Sequence, residues 1–160
     1  MSLATSELVL AGCSLNSNSH LLPPKIPGGE DQRVGNQTEC ALLGFVNASI
    51  ADRPEPSYEA FRDKHKILKT LPFNSESKKM TVAIELEPSK LVRVFTKGAS
   101  ETIIDECAFM QGEAGAQTKL DLARINQIKD HTLRHMAQNA LRTIALAHKD
   151  ITYEEYLRQT

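Results

Sequence analysis

The chain has 160 residues, of which 41% are apolar, and it carries a formal net charge of −1. This length and composition suit one globular domain with a packed core, and the near-neutral charge argues against a nucleic-acid-binding protein, which usually has a basic excess. The three cysteines are odd in number and include no CxxC pair, which indicates neither a zinc knuckle nor a disulfide framework and favours a reducing compartment.

The sequence contains no pattern typical of a membrane span or a signal peptide. No apolar run approaches the ~20 residues that a membrane-spanning helix needs. The opening "MSLATSELVLAGCSLNS" has no basic region ahead of its apolar residues. Residues 1–3 are explained equally well as native or as vector-derived sequence.

The N-terminal part is predicted to hold two helices separated by a loop. A helix is expected from Ser6 to about Leu15, followed by a flexible loop over residues 16–34, which are rich in Asn, Ser, Pro and Gly. In "NQTECALLGFVNA" the apolar residues recur at helical spacing. Thr38 is the expected N-cap of this second helix, and Glu39 suits the positive end of its dipole.

Strands dominate the middle of the chain. Ser57 is expected to cap a short polar helix that leads into the strand "KILKTLPFNS". The segment "KMTVAIELE" then alternates, which places four apolar side chains on one face, namely Met80, Val82, Ile84 and Leu86. Because "LVRVFTK" follows after a Pro-Ser-Lys turn, these two segments are predicted to form a hairpin.

The C-terminal part predicts further helices and one strand. A short helix is expected over Ala99–Cys107, "FMQGEAGAQT" as a loop, a long helix over Leu120–Ala140, and "TIALAHKDIT" as a buried strand. Helices mixed with an antiparallel hairpin indicate an α+β class, with an antiparallel sheet flanked by helices, rather than a parallel βαβ fold. We therefore expect residues 1–160 to form a single domain.

Common catalytic and phosphate-binding motifs do not occur. GxxxxGK[ST], GxGxxG and GxSxG are all missing, so a nucleotide site here would be of another kind, and no nucleophile–base pair identifies a catalytic residue. His131 and His135 have the spacing of two metal ligands on a helix, but neither an HExxH pattern nor a third ligand accompanies them. The alternative, two histidines on a solvated helix face, requires no metal.

Two short stretches suggest a ligand site. Phe73 precedes Lys78 at a strand mouth, where an aromatic ring could stack a base beside a phosphate-binding cation; the alternative is a phenylalanine in the core. In "FTKGASE", Lys97 shares a strand face with Phe95, and Gly98 has no Cβ, so a ligand could approach the backbone closely. The alternative is a strand-to-helix turn with a solvated lysine.

Five blocks of sequence resemble the nucleotide-binding domain of P-type ATPases, most closely that of plasma-membrane calcium pumps. "FTKGASE" resembles their KGA[SP]E motif, and "VGNQTECALLGFV" is similar to their Thr-Glu-x-Ala-Leu segment. "LPFNSESKKMTV", "ALRTIALAHKD" and "SLNSN" resemble three further segments of the domain. Because the blocks occur in the family's order across nearly the whole chain, the set is more specific than any one motif.

The resemblance implies roles for residues around the adenine of ATP. By position, Phe73 would stack on the base and Met80 would pack beside it. Glu39 would contact the adenine side of the pocket, through the exocyclic amino group. Lys97 would line the pocket floor near adenine and ribose, and Gly98 would allow close packing.

The resemblance also implies phosphate contacts. Lys78 and Arg142 would reach toward the phosphates, which carry Mg²⁺ with them in an intact pump. Organellar calcium pumps often have an arginine where this chain has Ser75, so the resemblance to them does not extend to that phosphate or ribose contact. With so few phosphate contacts, we expect weak binding.

The resemblance finally implies what lies outside the chain. The family's phosphorylated aspartate belongs to a DKTGT motif that this sequence lacks, so we expect a monomeric fragment that binds ATP without turnover. Its partners would be the phosphorylation and actuator domains of the same calcium pump, in the cytoplasm at the plasma membrane, with membrane contact only through separate transmembrane helices. The alternatives are an interaction module of the same fold that has lost nucleotide binding, or a free-standing hydrolase.

Overall fold

A computed structural model describes residues 3–52, 57–112 and 115–159. The elements in chain order are α1 Leu3–Leu15, β1 His20–Leu22, β2 Gln32–Val34, α2 Gln37–Ser49, α3 Glu59–Lys64, β3 Ile67–Asn74, β4 Lys79–Leu86, β5 Leu91–Ala99, α4 Ser100–Asp105, β6 Phe109–Gln111, β7 Gln117–Lys119, α5 Leu122–Gln127, a π-helical turn Ile128–Leu133, α6 Arg134–Gln138, β8 Ile144–Thr152 and α7 Tyr153–Gln159. The mixed architecture confirms the predicted α+β class.

A four-stranded antiparallel sheet in the order β3-β4-β5-β8 is the centre of the fold. Strands β4 and β5 form the predicted hairpin and pair over their whole length, from Lys79 opposite Gly98 to Leu86 opposite Leu91. Strand β8 then pairs with β5 from Leu91 opposite Thr152 to Ala99 opposite Ile144. Two small two-stranded sheets, β1-β2 and β6-β7, lie outside this sheet.

The core lies on both faces of the sheet. On one face, Leu15 of α1 packs on the alternating residues Val82, Ile84 and Phe95, as the hydrophobic pattern of β4 predicts. A second cluster joins α1, α2 and the start of α3 through Leu10, Cys13, Leu43, Val46, Ile50 and Tyr58. On the opposite face, Ala83, Val92 and Ile151 pack together, with Tyr156 of α7 against them.

Several predicted details are wrong. The cap of α2 is Asn36, whose Oδ1 accepts hydrogen bonds from the backbone N–H groups of Thr38 and Glu39, because the helix begins one residue before Thr38. Strand β8 is an edge strand with mostly exposed residues, not a buried one. Its apolar, β-branched composition is equally typical of an edge strand that has one covered face.

Segments predicted as loops contain short strands. Strands β1 and β2 lie within residues 16–34, β6 lies within "FMQGEAGAQT", and β7 begins in that stretch and ends one residue beyond it, at Lys119. Runs of three residues leave no measurable alternation in the sequence, which explains why they were not predicted. The long helix predicted over Leu120–Ala140 is interrupted by the π-helical turn, and α7 was not predicted.

Two further predictions concern the histidine pair on the C-terminal helix and membrane-spanning helices. His131 and His135 are both exposed, and within the described ranges no group of three or more His, Cys, Asp or Glu side chains is placed to hold a metal ion. No helix among the described residues has the length and apolar character needed to cross a bilayer.

Candidate functional site

One end of the four-stranded sheet gathers four of the seven candidate residues. Because neighbouring strands are antiparallel, Asn74 at the end of β3 pairs with Lys79 at the start of β4. Lys79 pairs in turn with Gly98 near the end of β5. Phe73 and Lys78 flank the β3-β4 turn at this end, and Arg142 precedes β8 by two residues. We call this end of the sheet the strand-end surface.

The turn between β3 and β4 places Phe73 near Lys78. The Oδ1 atom of Asn74 accepts hydrogen bonds from the backbone N–H groups of Glu76 and Ser77 at 2.7 and 3.2 Å. The N–H of Lys78 donates to the carbonyl of Asn74 at 2.7 Å, and Lys78 adopts a φ of 53°. This closed turn returns the chain directly from the aromatic residue to the lysine.

The exposed candidates at this surface are Phe73, Lys78 and Arg142. Phe73 is 57% exposed, so the alternative that it belongs to the core is wrong. Lys78 and Arg142 are exposed too, and neither side chain has an ion-pair or hydrogen-bond partner in the part of the chain that the structure describes. An open aromatic face and two unpaired cations therefore share one end of the sheet.

Gly98 is required by the fold at this surface. A Cβ atom on Gly98 would overlap the carbonyl oxygen of Lys78 and lie 3.0 Å from the Cα atom of Lys79. The same carbonyl accepts a hydrogen bond from the N–H of Ala99 at 3.1 Å. The close approach that the glycine permits in this structure is that of the neighbouring β4 backbone.

The remaining candidates, Glu39, Met80 and Lys97, are buried. Lys97 is 6% exposed and lies opposite Met80, itself 1% exposed, so the alternative of a solvated lysine is wrong. Its Nζ atom donates to Oε1 of Glu39 at 2.7 Å. Glu39 stands in the first turn of α2, so this ion pair connects the helix to the sheet.

The other carboxylate oxygen of Glu39, Oε2, accepts three hydrogen bonds from the segment that follows α1. Oε2 accepts hydrogen bonds from Ser17 Oγ at 3.1 Å, from the backbone N–H of Asn18 at 3.0 Å and from Ser19 Oγ at 2.7 Å. All four partners that the described part of the chain gives this carboxylate are therefore donors. That arrangement fits an ionised carboxylate, and the positive end of the α2 dipole favours the same state.

Burial and hydrogen bonding shift the pKa values of this cluster. Burial raises the pKa of Glu39, but hydrogen bonds from Lys97 and Ser19 outweigh it and hold that pKa below the ordinary glutamate value. Burial lowers the pKa of Lys97, and the hydrogen bond to Glu39 opposes that shift. Burial raises the pKa of the nearby Cys13 to about 11, so its thiol is protonated at neutral pH and is a poor nucleophile.

Three residues that contact this cluster were not predicted. Ser17 and Ser19 lie in "SLNSN", whose resemblance to a family segment was noted without a role for either hydroxyl. Arg62 of α3 donates hydrogen bonds to the backbone of the same segment. No local pattern marks this arginine, because its partners lie more than 40 residues away in sequence.

The arrangement suits binding rather than covalent chemistry. The strand-end surface presents an exposed ring and two exposed cations, whereas the carboxylate of Glu39 is buried and its Oε1 accepts from Lys97 alone among the described residues. An exposed ring can stack a flat heterocycle, exposed cations can attract phosphate oxygens, and a carboxylate oxygen with one donor can accept a further hydrogen bond.

Comparisons with known proteins identify the chain's relatives. The family model of the P-type ATPase cytoplasmic domain N matches residues 4–160. Plasma membrane calcium-transporting ATPase mca-1 of Caenorhabditis elegans is 36% identical over 156 residues, which cover 92% of this chain and 12% of the relative. Plasma membrane calcium-transporting ATPase 4 of Homo sapiens is 36% identical over 149 residues, covering 90% and 12%. Calcium-transporting ATPase 4, plasma membrane-type, of Arabidopsis thaliana is 37% identical over 143 residues, covering 89% and 13%. The chain thus spans about one-eighth of the length of these relatives.

Proposed function

The chain belongs to the P-type ATPases, as their cytoplasmic domain N, and on this basis we propose that it holds ATP at the strand-end surface for transfer of the γ-phosphate to an aspartate on a separate domain. The relatives are named as plasma membrane calcium-transporting ATPases. We extend that activity to the parent of this chain, with the domain in the cytoplasm at the plasma membrane. Its partners would be the phosphorylation and actuator domains of the same pump.

The observation that carries this proposal is the exposed ring of Phe73 at the same end of the sheet as Lys78 and Arg142, two cations that are unpaired among the described residues. Met80 of β4 pairs with Lys97 of β5 one residue in from the row of Asn74, Lys79 and Gly98, and Phe73 precedes Asn74 where the register between β3 and β4 is irregular. Phe73 and Lys97 therefore lie towards the same end of the sheet, on strands separated by β4.

Glu39 supplies a basis for preferring adenine. Among the described residues, its Oε2 atom has three donors, whereas Oε1 has Lys97 alone and keeps acceptor capacity. The exocyclic amino group of adenine donates a hydrogen bond, whereas guanine has a carbonyl at that position. A carboxylate fixed in this way therefore favours ATP over GTP.

Lys78 and Arg142 are the proposed phosphate contacts. Both side chains are exposed and unpaired among the described residues, so neither must break an ion pair to reach an anion. Mg²⁺ would arrive with the nucleotide phosphates. Two contacts from exposed, solvated side chains provide modest attraction, so we propose weak binding that becomes stronger when a neighbouring domain closes on the nucleotide.

Titration of ¹⁵N-labelled protein with ATP tests the proposal. We expect chemical-shift changes at Phe73, Lys97 and Gly98, and none at Leu86 and Leu91, which pair at the opposite end of the same hairpin. GTP should produce smaller changes at equal concentration. Absence of shifts at the strand-end surface at millimolar ATP would exclude the proposal, and phosphate release by the chain alone would revive the hydrolase alternative.

A second candidate is an interaction module of the same fold. The observation that favours it is the pairing of Lys97 with Glu39, because it leaves fewer free charges for a ligand. The acidic Glu76, exposed in the turn beside Lys78, would also weaken phosphate attraction. An unchanged melting temperature with and without ATP, together with co-purification of a protein partner, would favour this function.

A further inference from the structure

Arg62 holds the segment that supplies the donors to Glu39. Its Nε atom donates to the carbonyl of Ser14 at 2.9 Å, and its Nη2 atom donates to the carbonyls of Ser17 and Ser19, both at 3.0 Å. Its Nη1 atom lies 3.3 Å from Nδ1 of His20. One guanidinium therefore contacts four residues of a seven-residue stretch that ends α1 and leads into β1.

The position of Arg62 is itself constrained. Its guanidinium carbon lies 4.7 Å from the centroid of the Tyr58 ring, which is 1% exposed. The hydroxyl of Tyr58 accepts a hydrogen bond from the N–H of Leu21 at 3.1 Å. Arginine and tyrosine, four residues apart around α3, thus fix the same segment from one side.

The segment has two chemically distinct sides. Carbonyls of Ser17 and Ser19 point to Arg62, while the hydroxyls of the same two serines and the N–H of Asn18 point to Oε2 of Glu39. The carbonyl of Ser14 belongs to the last turn of α1, where a cation is favourable. Because the planar guanidinium of Arg62 fixes these carbonyls, it also sets the direction of the three donors to Glu39.

We propose that Arg62 is a positioning residue for adenine recognition, which acts through Ser17, Asn18 and Ser19 to keep Glu39 oriented with only Oε1 available to the base. This inference rests on the proposed function. Arg62 contacts no nucleotide in this scheme. Its loss would relax the orientation of the carboxylate and reduce discrimination between ATP and GTP, while stacking on Phe73 would continue.

The test compares Arg62→Gln with Arg158→Gln, which makes the same change at an exposed arginine of α7. Dissociation constants for ATP and GTP are measured by NMR titration. We expect Arg62→Gln to reduce the GTP-to-ATP ratio of dissociation constants about fivefold, the effect of one hydrogen bond, with GTP binding within about twofold of the unsubstituted chain. Arg158→Gln should leave the ratio unchanged.

A second readout needs no nucleotide. Carbon-13 titration of the Glu39 carboxyl in the free protein should show a higher pKa in Arg62→Lys, which keeps the positive charge but no longer holds the donors to the carboxylate. Failure of the unsubstituted chain to bind ATP would reject the proposed function, whereas an unchanged Glu39 pKa would reject the positioning role separately.

Conservative variants keep the test decisive. Arg62→Lys retains the charge but cannot reach three carbonyls in one plane. Its GTP-to-ATP ratio of dissociation constants should therefore also fall. Ser19→Ala removes one donor to Oε2 and should shift the ratio in the same direction. If Arg62→Gln fails to fold, these two variants decide, and an ATP-to-GTP preference equal to that of the unsubstituted chain in both would overturn the inference.

Discussion

Lys97 donates a hydrogen bond to Glu39 at 2.7 Å across 58 residues of sequence, and both side chains are nearly excluded from solvent. The pair connects the first turn of α2 to the central strand β5. Burying two charges costs free energy, which the short hydrogen bond and the three further donors to the carboxylate offset. Removal of either partner leaves the other buried and uncompensated.

Glu39→Gln should therefore destabilise the fold. We expect the free energy of unfolding to fall by about 3–5 kcal/mol, the usual cost of leaving one member of a buried ion pair alone. Urea denaturation measures it. Asp130→Asn, which breaks an exposed pair with Arg134, should change stability by less than about 0.5 kcal/mol. Equal effects of the two substitutions would contradict the structural importance of the buried pair.

The stability of the fold should decrease at acidic pH as Glu39 becomes protonated. Its folded pKa lies below the ordinary value of 4.5, so the unfolded chain binds a proton more readily than the folded one. The contribution of Glu39 is fully present above that value and is lost as pH falls through the folded pKa. Asp150 adds to the same trend, because the hydrogen bond from Arg93 lowers its pKa. Urea denaturation across pH 3–6 in Glu39→Gln should show a shallower slope, and an unchanged slope would count against this assignment.

Phe73→Ala should weaken ATP binding without affecting the fold. The ring is 57% exposed, so its removal costs little core packing, whereas lost base stacking costs roughly 1–3 kcal/mol of binding free energy. NMR titration with ATP measures the change. Phe109→Ala, at a site 55% exposed on β6, is the matched control and should bind ATP normally. Comparable weakening in both variants would argue against stacking on Phe73.

Gly98→Ala should destabilise the sheet. The added Cβ would overlap the backbone carbonyl of Lys78, which cannot move without disturbing the β4-β5 pairing, at a cost of about 1–3 kcal/mol or more. Gly44→Ala is the control, because nothing lies within 4 Å of its added Cβ in α2. That substitution should stabilise the helix by roughly 0.5–1 kcal/mol. Thermal melts that rank the two variants in the opposite order would refute the packing argument.

Ala140→Gly should stabilise the chain. Ala140 has a φ of 56° just after α6, and the next N–H, from Leu141, donates back to the carbonyl of Met136 at 3.0 Å. Glycine adopts this left-handed conformation without a Cβ penalty, so stability should rise by up to about 1 kcal/mol. Ala137→Gly, inside α6, should instead lower stability by about 1 kcal/mol. A loss of stability in Ala140→Gly, seen by urea denaturation, would show that the strain is absent.

The sequence by itself determined the elements whose signal is local. Alternation over eight residues identified β4 and its buried face, and helical spacing identified α2, because side-chain direction repeats every two residues in a strand and every 3.6 in a helix. Local patterns suggested four of the seven candidate residues and family resemblance gave all seven roles, but neither indicated their mutual distances. Three-residue strands such as β6 were missed because they are too short to show a period.

Only the tertiary structure decided which residues meet. Three contacts join segments that are separated in sequence. They are the ion pair of Glu39 with Lys97, the hydrogen bonds from Arg62 to Ser17 and Ser19, and the close approach of the Lys78 carbonyl to Gly98. The first two contacts depend on how the helices and the segment after α1 pack against the sheet, and the third depends on the close pairing of β4 with β5; no local pattern records either. The exposure of Phe73 and the burial of Lys97 follow from the same cause, since position in the sheet, not residue type, sets access to solvent.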